Sequence, residues 1–175
     1  MIKYILSLCT LVLFTSCGST SALTEAQKET LETAVSTPAF NIAAQWAYPQ
    51  DATSAQVLNK LNPAGGIVNG NRVLLDSGSY SIQVQNDSLV MNLPYFGTRQ
   101  ISGGLPGNTG ITVAQPLRNF KLLTAKKEGR HDLHMTASER GETYDMAVTL
   151  FAGGNARVVI SSSQRQSIRY TGTWQ

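Results

Sequence analysis

Thiols are scarce in this sequence, and both of its cysteines, Cys9 and Cys17, fall within the first seventeen residues. Everything downstream is therefore without a disulfide framework or a cysteine-held metal. Charged side chains make up 14% of the chain, well under the roughly 25% of an average soluble domain. The 14 basic and 11 acidic residues leave no strong excess of either sign, so the balance announces neither nucleic acid nor a strongly charged substrate. No apolar run approaches the about 20 residues of a membrane-spanning helix.

What is present begins at the N-terminus. Lys3 precedes an apolar stretch of about 10 residues, which closes on Phe14-Thr15-Ser16-Cys17. A charged start, an apolar middle and small residues before a cut site are the parts of an export signal. A cysteine at that site marks the lipoprotein form, in which Cys17 is lipidated and becomes the first mature residue. Residues 1–16 are read as the signal peptide, 17–23 as a lipidated tether and 24–175 as one domain. The competing reading is an ordinary secretory peptide cut near Ser16 or Ala22, with Cys17 incidental. Losing Lys3 leaves 13 basic against 11 acidic residues, a mature net charge of +2. No acidic cluster follows Cys17 between Gly18 and Ala22, which points to the periplasmic face of the outer membrane.

Beyond the tether the hydrophobic period decides the fold. Thr24 with Gln27 suits a capping box, and Leu31, Ala34 and Val35 give a modest apolar stripe, so a helix is expected over 24–36. Phe40, Ile42, Ala44, Trp46 and Tyr48 alternate with Asn41, Ala43, Gln45 and Ala47, the period of a half-buried strand with the first set on one face. Residues 50–66 read as a loop holding a short helix. Strands are then expected at Arg72–Leu75, Ser79–Gln85 and Leu89–Leu93, with Asn86-Asp87 as a hairpin turn. Short strands follow at Ile111–Val113 and Leu117–Ala125. The last 45 residues carry four more: His131–Ser138, Thr143–Phe151, Ala156–Ser162 and Gln166–Thr173. In the final one Ile168, Tyr170 and Trp174 share a face. No segment supplies repeated helical crossovers, which excludes a parallel sheet. The expected fold is mainly β: an antiparallel meander forming a curved sheet, sandwich or partial barrel, with one leading N-terminal helix.

Two stretches carry a resemblance. Leu93-Pro94-Tyr95-Phe96-Gly97, preceded by the hairpin from Ser79-Tyr80-Ser81-Ile82 to Asp87-Ser88-Leu89, resembles the signature of domain-of-unknown-function family 4251, Bacteroidota envelope lipoproteins. The second stretch is the tail Ala156 to Gly172, with its pattern Ser-Ser-x-x-Arg-Gln-x-Ile-x-Tyr-x-Gly. The resemblance spans most of 25–175 and implies an all-β envelope domain, in a group where a signal with Phe14 in place of leucine is common. It carries over no catalytic residue. The chain departs after Gly97, where Thr98-Arg99-Gln100 stands in place of an expected aromatic residue.

Residues with chemistry are few. His131 and His134, three apart on a strand, point to opposite faces and chelate poorly. Asp132, Asp145, Glu139 and Glu142 lie near hairpin ends and read as turn formers and solubilising charges. No Gly-x-Ser-x-Gly elbow exists. Gly103 to Gly110 lacks the lysine and the following helix of a phosphate loop, and Lys126-Lys127 with Arg130 reads as a solvated basic turn. No metal and no cofactor is expected.

The strongest binding candidates are aromatic. Pro94 ends strand pairing, and Tyr95-Phe96 then present two rings, either as a binding surface or as a plug that closes the sheet. Trp46 and Trp174 join them as the lining to test for a small apolar ligand. Ser88, within Asp87-Ser88-Leu89, is a candidate O-glycosylation site. The expected function is a lipid-anchored, non-enzymatic binding or assembly module of the envelope. Its partners are the membrane through the N-terminal lipid, and an envelope protein or small apolar ligand, with no nucleic acid. The alternatives are an envelope hydrolase acting on lipid or glycan, and a purely structural lipoprotein.

Overall fold

The computed structural model describes residues 23–61, 68–76, 78–100, 110–123 and 128–175. Cys17 with its signal, the glycine-rich loop up to Thr109, and Lys126-Lys127 lie outside the described residues. Helix α1 (Glu25–Ser36) opens on the expected capping box: Gln27 N donates to Thr24 Oγ1 at 3.3 Å, and Thr24 N donates to Gln27 Oε1 at 2.9 Å. Its Leu31, Ala34 and Val35 are buried. A second helix, α2 (Ala52–Leu61), is longer than the short helix expected in that loop. Asp51 starts it early, because its Oδ1 accepts from Ser54 N at 2.7 Å, the bond by which an aspartate caps a first turn.

Eleven strands complete the domain: β1 (Ala39–Pro49), β2 (Val68–Asn69), β3 (Arg72–Leu74), β4 (Ser81–Gln85), β5 (Ser88–Leu93), β6 (Ile111–Pro116), β7 (Arg118–Leu123), β8 (Arg130–Glu139), β9 (Glu142–Phe151), β10 (Asn155–Ser162) and β11 (Ile168–Trp174). All their pairings are antiparallel, in the order β6-β5-β4-β1-β11-β10-β9-β8-β7, with β3 also on β1 and β2 on β3. The sheet curls until β6 lies against β8, where Gln115 Nε2 donates to Glu139 Oε2 at 2.8 Å. The result is a nearly closed antiparallel barrel. Of the three closures the sequence left open, the partial barrel is the one formed.

Alternation fills the barrel. Along β9 every second residue from Glu142 to Leu150 is buried, and Met91, Val113, Leu133, Met135, Met146 and Leu150 are wholly so. Full burial of such a side chain stabilises by about 1.5–3 kcal/mol. The tight Arg140-Gly141 turn, with φ of 51° and 79°, has two successive positive values, as the hairpin twist demands. The final strand behaves as its sequence predicts, with Ile168, Tyr170 and Trp174 all buried.

β1 does not. Its register against β11 slips between Ala44 and Trp46, so Gln45 is the extra residue of a β-bulge. One inserted residue reverses the alternation that follows. Phe40, Ile42 and Ala44 are buried as expected, but beyond the bulge Ala47 and Pro49 turn inward and Trp46 and Tyr48 face out. Beside the bulge β1 and β11 approach closely: a side chain at Gly172 would strike the Ala43 carbonyl.

Candidate functional site

One end of the barrel holds a buried polar knot. Glu142, at the start of β9, and Arg165, just before β11, are 4% and 6% exposed. They meet fork to carboxylate, Arg165 Nε on Glu142 Oε1 at 2.8 Å and a terminal nitrogen on Oε2 at 3.1 Å. Bidentate pairing of this kind is the strong form of a charged hydrogen bond. Ser162 donates to the same carboxylate, and Arg99 Nη2 stands 3.9 Å from it. Burial by itself raises the Glu142 pKa, but hydrogen bonds from Arg165, Ser162 and Tyr144, with the Arg165 charge, outweigh it and hold the group below its usual range. Burial, together with the Glu142 carboxylate, pushes Tyr144 up to about 12.

The Tyr95 ring closes over this pair, 5.1 Å from the Arg165 guanidinium. Its hydroxyl lies 2.9 Å from the carbonyls of both Thr98 and Gln166, which share its single proton. Burial, more than the charge of Asp51, pushes that phenol up to about 12. Behind it Tyr170 Oη donates to the Pro94 carbonyl at 2.7 Å. Segment 98–100 then pairs with 164–166 through Gln100 N to Gln164 O at 2.8 Å and Gln166 N to Thr98 O at 3.1 Å. These contacts form a latch between the turn after β5 and the segment entering β11.

A second cluster stands on the outer wall, where the bulge has turned Trp46 and Tyr48 to solvent. Arg72 lies over the Trp46 ring at 4.2 Å, and Arg169 over the Tyr48 ring at 4.5 Å. The ladder explains the second contact, while Arg72 on β3 reaches Trp46 diagonally, Trp46 itself standing opposite Leu74. Tyr48 is opposite Arg169 on β11, Trp46 is opposite Thr171, and Arg157 on β10 is opposite Thr171 in turn. Burial opposes ionisation of the Tyr48 phenol, yet hydrogen bonding from Thr171 and Arg72 and the charges of Arg72 and Arg169 bring its pKa below the usual value.

The family described as "Domain of unknown function (DUF4251)" matches over residues 22–174. The chain belongs to the DUF4251 family. A crystal structure of a DUF4251 family protein from Bacteroides eggerthii DSM 20697 superposes with a TM-score of 0.58 at 16% identity, covering 85% of this chain and 87% of that one. At that identity the likeness speaks for the fold alone. Among curated proteins nothing matches.

Several residues of the two DUF4251-like stretches have a structural duty. Leu93 is core, Pro94 offers the carbonyl that Tyr170 holds, and Tyr95 covers Arg165. A side chain at Gly97 would collide with the Tyr95 ring. In the tail, Ser162 and Arg165 hold Glu142, Ile168 is core, and Gly172 has no room for a side chain. The two stretches are the two halves of one latch. Arg99, in the segment that departs from the expected aromatic pattern, approaches Glu142 instead.

The four aromatic candidates are not brought together. Tyr95 is buried in the latch, with Phe96 half-buried beside the core. Trp46 is on the outer wall, and Trp174 lies at the opposite barrel end, its indole donating to the Phe151 carbonyl at 2.8 Å. Ser88 is exposed at the start of β5. His131 meets Glu32 of α1 at 2.7 Å, whereas His134 meets Asp145 on the outer wall at 2.8 Å. Among the described residues no group of three or more His, Cys, Asp or Glu is placed to hold a metal ion.

Glu142 corrects the reading of the hairpin carboxylates: it is neither a turn former nor a solubilising charge, but a buried partner of Arg165. Its signal was the parity of β9, since Glu142, Tyr144, Met146, Val148 and Leu150 all stand two apart.

Proposed function

We propose that this chain is a lipid-anchored envelope protein, held through Cys17 at the periplasmic face of the outer membrane, and that it works as a non-enzymatic binding or assembly module. The anchor rests on the signal ending at Cys17. The binding role rests on one observation, the paired rings and guanidinium groups of Trp46, Arg72, Tyr48 and Arg169 displayed on the outer wall of a barrel whose interior is filled by its own side chains. A filled interior favours a surface over a luminal pocket, so the wall replaces the enclosed apolar lining as the binding candidate. The latch supports the same division of labour, since Glu142, Arg165 and Ser162 hydrogen-bond one another. Leu23 packs on Gly129 beside Phe151, at the barrel end opposite the latch. An O-linked glycan on Ser88 belongs to the same reading.

The test has two parts. Wild-type protein should take up labelled palmitate and sediment with membranes, and Cys17→Ser should do neither while remaining folded. Anchored wild type should then cross-link to envelope components that Trp46→Ala with Tyr48→Ala does not reach. Membrane retention of the Cys17 variant would overturn the anchor. Identical cross-links from the double variant would overturn the wall as the binding surface.

A further inference from the structure

The outer wall carries three arginines outside any ion pair, and of these only Arg157 has an acid among the described residues, Asp132, close enough for its charge to be felt. Among the described residues no carboxylate stands within ion-pair distance of Arg72, Arg157 or Arg169. The acids that share this face are engaged elsewhere: Asp132 binds Arg130 and Thr149, and Asp145 binds His134. Arg169 Nε is buried without a hydrogen-bond partner.

The placement is convergent. Continuing the β1–β3 register by one residue sets Arg72 opposite Tyr48, and Arg169 is opposite the same tyrosine from the other side. Neighbouring strands are about 4.8 Å apart, so the two Cα atoms stand roughly 10 Å apart across β1, and both guanidinium groups fold inward over its rings. A guanidinium stacked on a ring can keep in-plane N–H donors pointing outward; Arg72 gives one of its own to the Tyr48 hydroxyl, and the Arg169 Nε is buried, which leaves the terminal nitrogens of each fork for a ligand. Two such forks, with Arg157 on the adjacent row and the Tyr48 hydroxyl between strands, make a preorganised cradle of donors around excess positive charge. A planar fork matches the oxygen spacing of a phosphate, and two forks suit its double charge.

We infer that the Trp46–Tyr48–Arg72–Arg169 cluster, with Arg157 at its margin, is a phosphate-binding site. It accepts a phosphate ester group, borne either on a soluble molecule or on a lipid headgroup. This inference rests on the binding role proposed for the wall and gives that role a ligand class.

The experiment uses the full chain with Cys17→Ser, so that no lipid obscures the result. Pyrophosphate titrated by calorimetry reads the soluble source, and flotation with phosphatidylcholine vesicles containing phosphatidic acid reads the headgroup source, with pure phosphatidylcholine as the blank. Binding in either arm should weaken about tenfold or more in Arg72→Gln and in Arg169→Gln, as the loss of a bidentate charged contact implies. Arg169→Lys should not restore it, because lysine lacks the fork. Arg118→Gln, on an exposed edge strand, should bind as the parent does. Pyrophosphate binding without flotation assigns a soluble ligand, and flotation on the acidic vesicles assigns a headgroup. No binding in either arm overturns the site. Equal losses in Arg118→Gln and Arg169→Gln also overturn it, and mean an adventitious ion only. If both arginine variants still give the parent's envelope cross-links when anchored, the phosphate site fails while the binding module stands.

Discussion

The Tyr170 hydroxyl reaches from β11 to the Pro94 carbonyl at 2.7 Å, tying the end of β5 to a strand far from it in the sheet order. Proline has no N–H with which to continue a ladder, so β5 stops before it and the Pro94 carbonyl takes its donor from elsewhere. Tyr170 is wholly buried. Tyr170→Phe should leave that carbonyl unsatisfied and cost about 1–3 kcal/mol. Urea unfolding monitored by circular dichroism measures the loss, and an unchanged midpoint would remove the bond from the account of stability.

The Glu142–Arg165 pair sets the acid limit of the fold. Removing one partner of a buried pair strands the other charge, so Glu142→Ala should destabilise by about 3–5 kcal/mol. The carboxyl is held below its ordinary value of 4.5. A depressed carboxylate contributes stability above its unfolded pKa and loses it as pH falls through the folded one. Thermal midpoints of the wild type should therefore hold steady above about pH 4.5 and drop below it. Glu142→Gln should show a shallower drop, because it has no proton to take up, and equal acid slopes for the two proteins would contradict this assignment.

Gly172 stands beside the bulge at Gln45. Next to the bulge the Ala43 carbonyl lies where a side chain at 172 would stand, and the obstacle is backbone, which cannot swing aside. Gly172→Ala should cost about 1–3 kcal/mol as overpacking does. Deleting Gln45 in the same chain should recover part of that loss. A simple additive outcome in the double variant would mean that bulge and glycine are independent.

These contacts mark where sequence reasoning stops. The helix over α1, the hairpins and the inward set of β11 were legible, because a capping box, a turn residue and a two-residue period are all local signals. The bulge was not, since an extra residue in β1 is defined only against its partner β11, and it moved Trp46 from an expected lining to the outer wall. The latch was half legible. Tyr95 and Arg165 stood in recognisable stretches 70 residues apart, but their stacking depends on a closure of the barrel that no local period encodes. Glu142 was hidden by its place at a hairpin end, where charge is ordinarily solvated, although its parity with Tyr144 and Met146 already pointed inward.

The outer wall makes a distinct optical prediction. The chain has two tryptophans: Trp174 is 8% exposed with its indole bonded to Phe151, whereas Trp46 is half-buried under Arg72. In Trp174→Phe all indole emission comes from Trp46. Unpaired guanidinium groups around that ring attract anions and repel cations, an effect screened over about 10 Å at 0.1 M salt. Iodide should therefore quench this emission more strongly than caesium, and the difference should shrink as salt rises. Arg72→Gln should reduce it further by removing the nearest charge and uncovering the ring to both ions. Equal quenching by iodide and caesium at low salt would show that the positive field at Trp46 is absent, and with it the electrostatic basis for an anion at this wall.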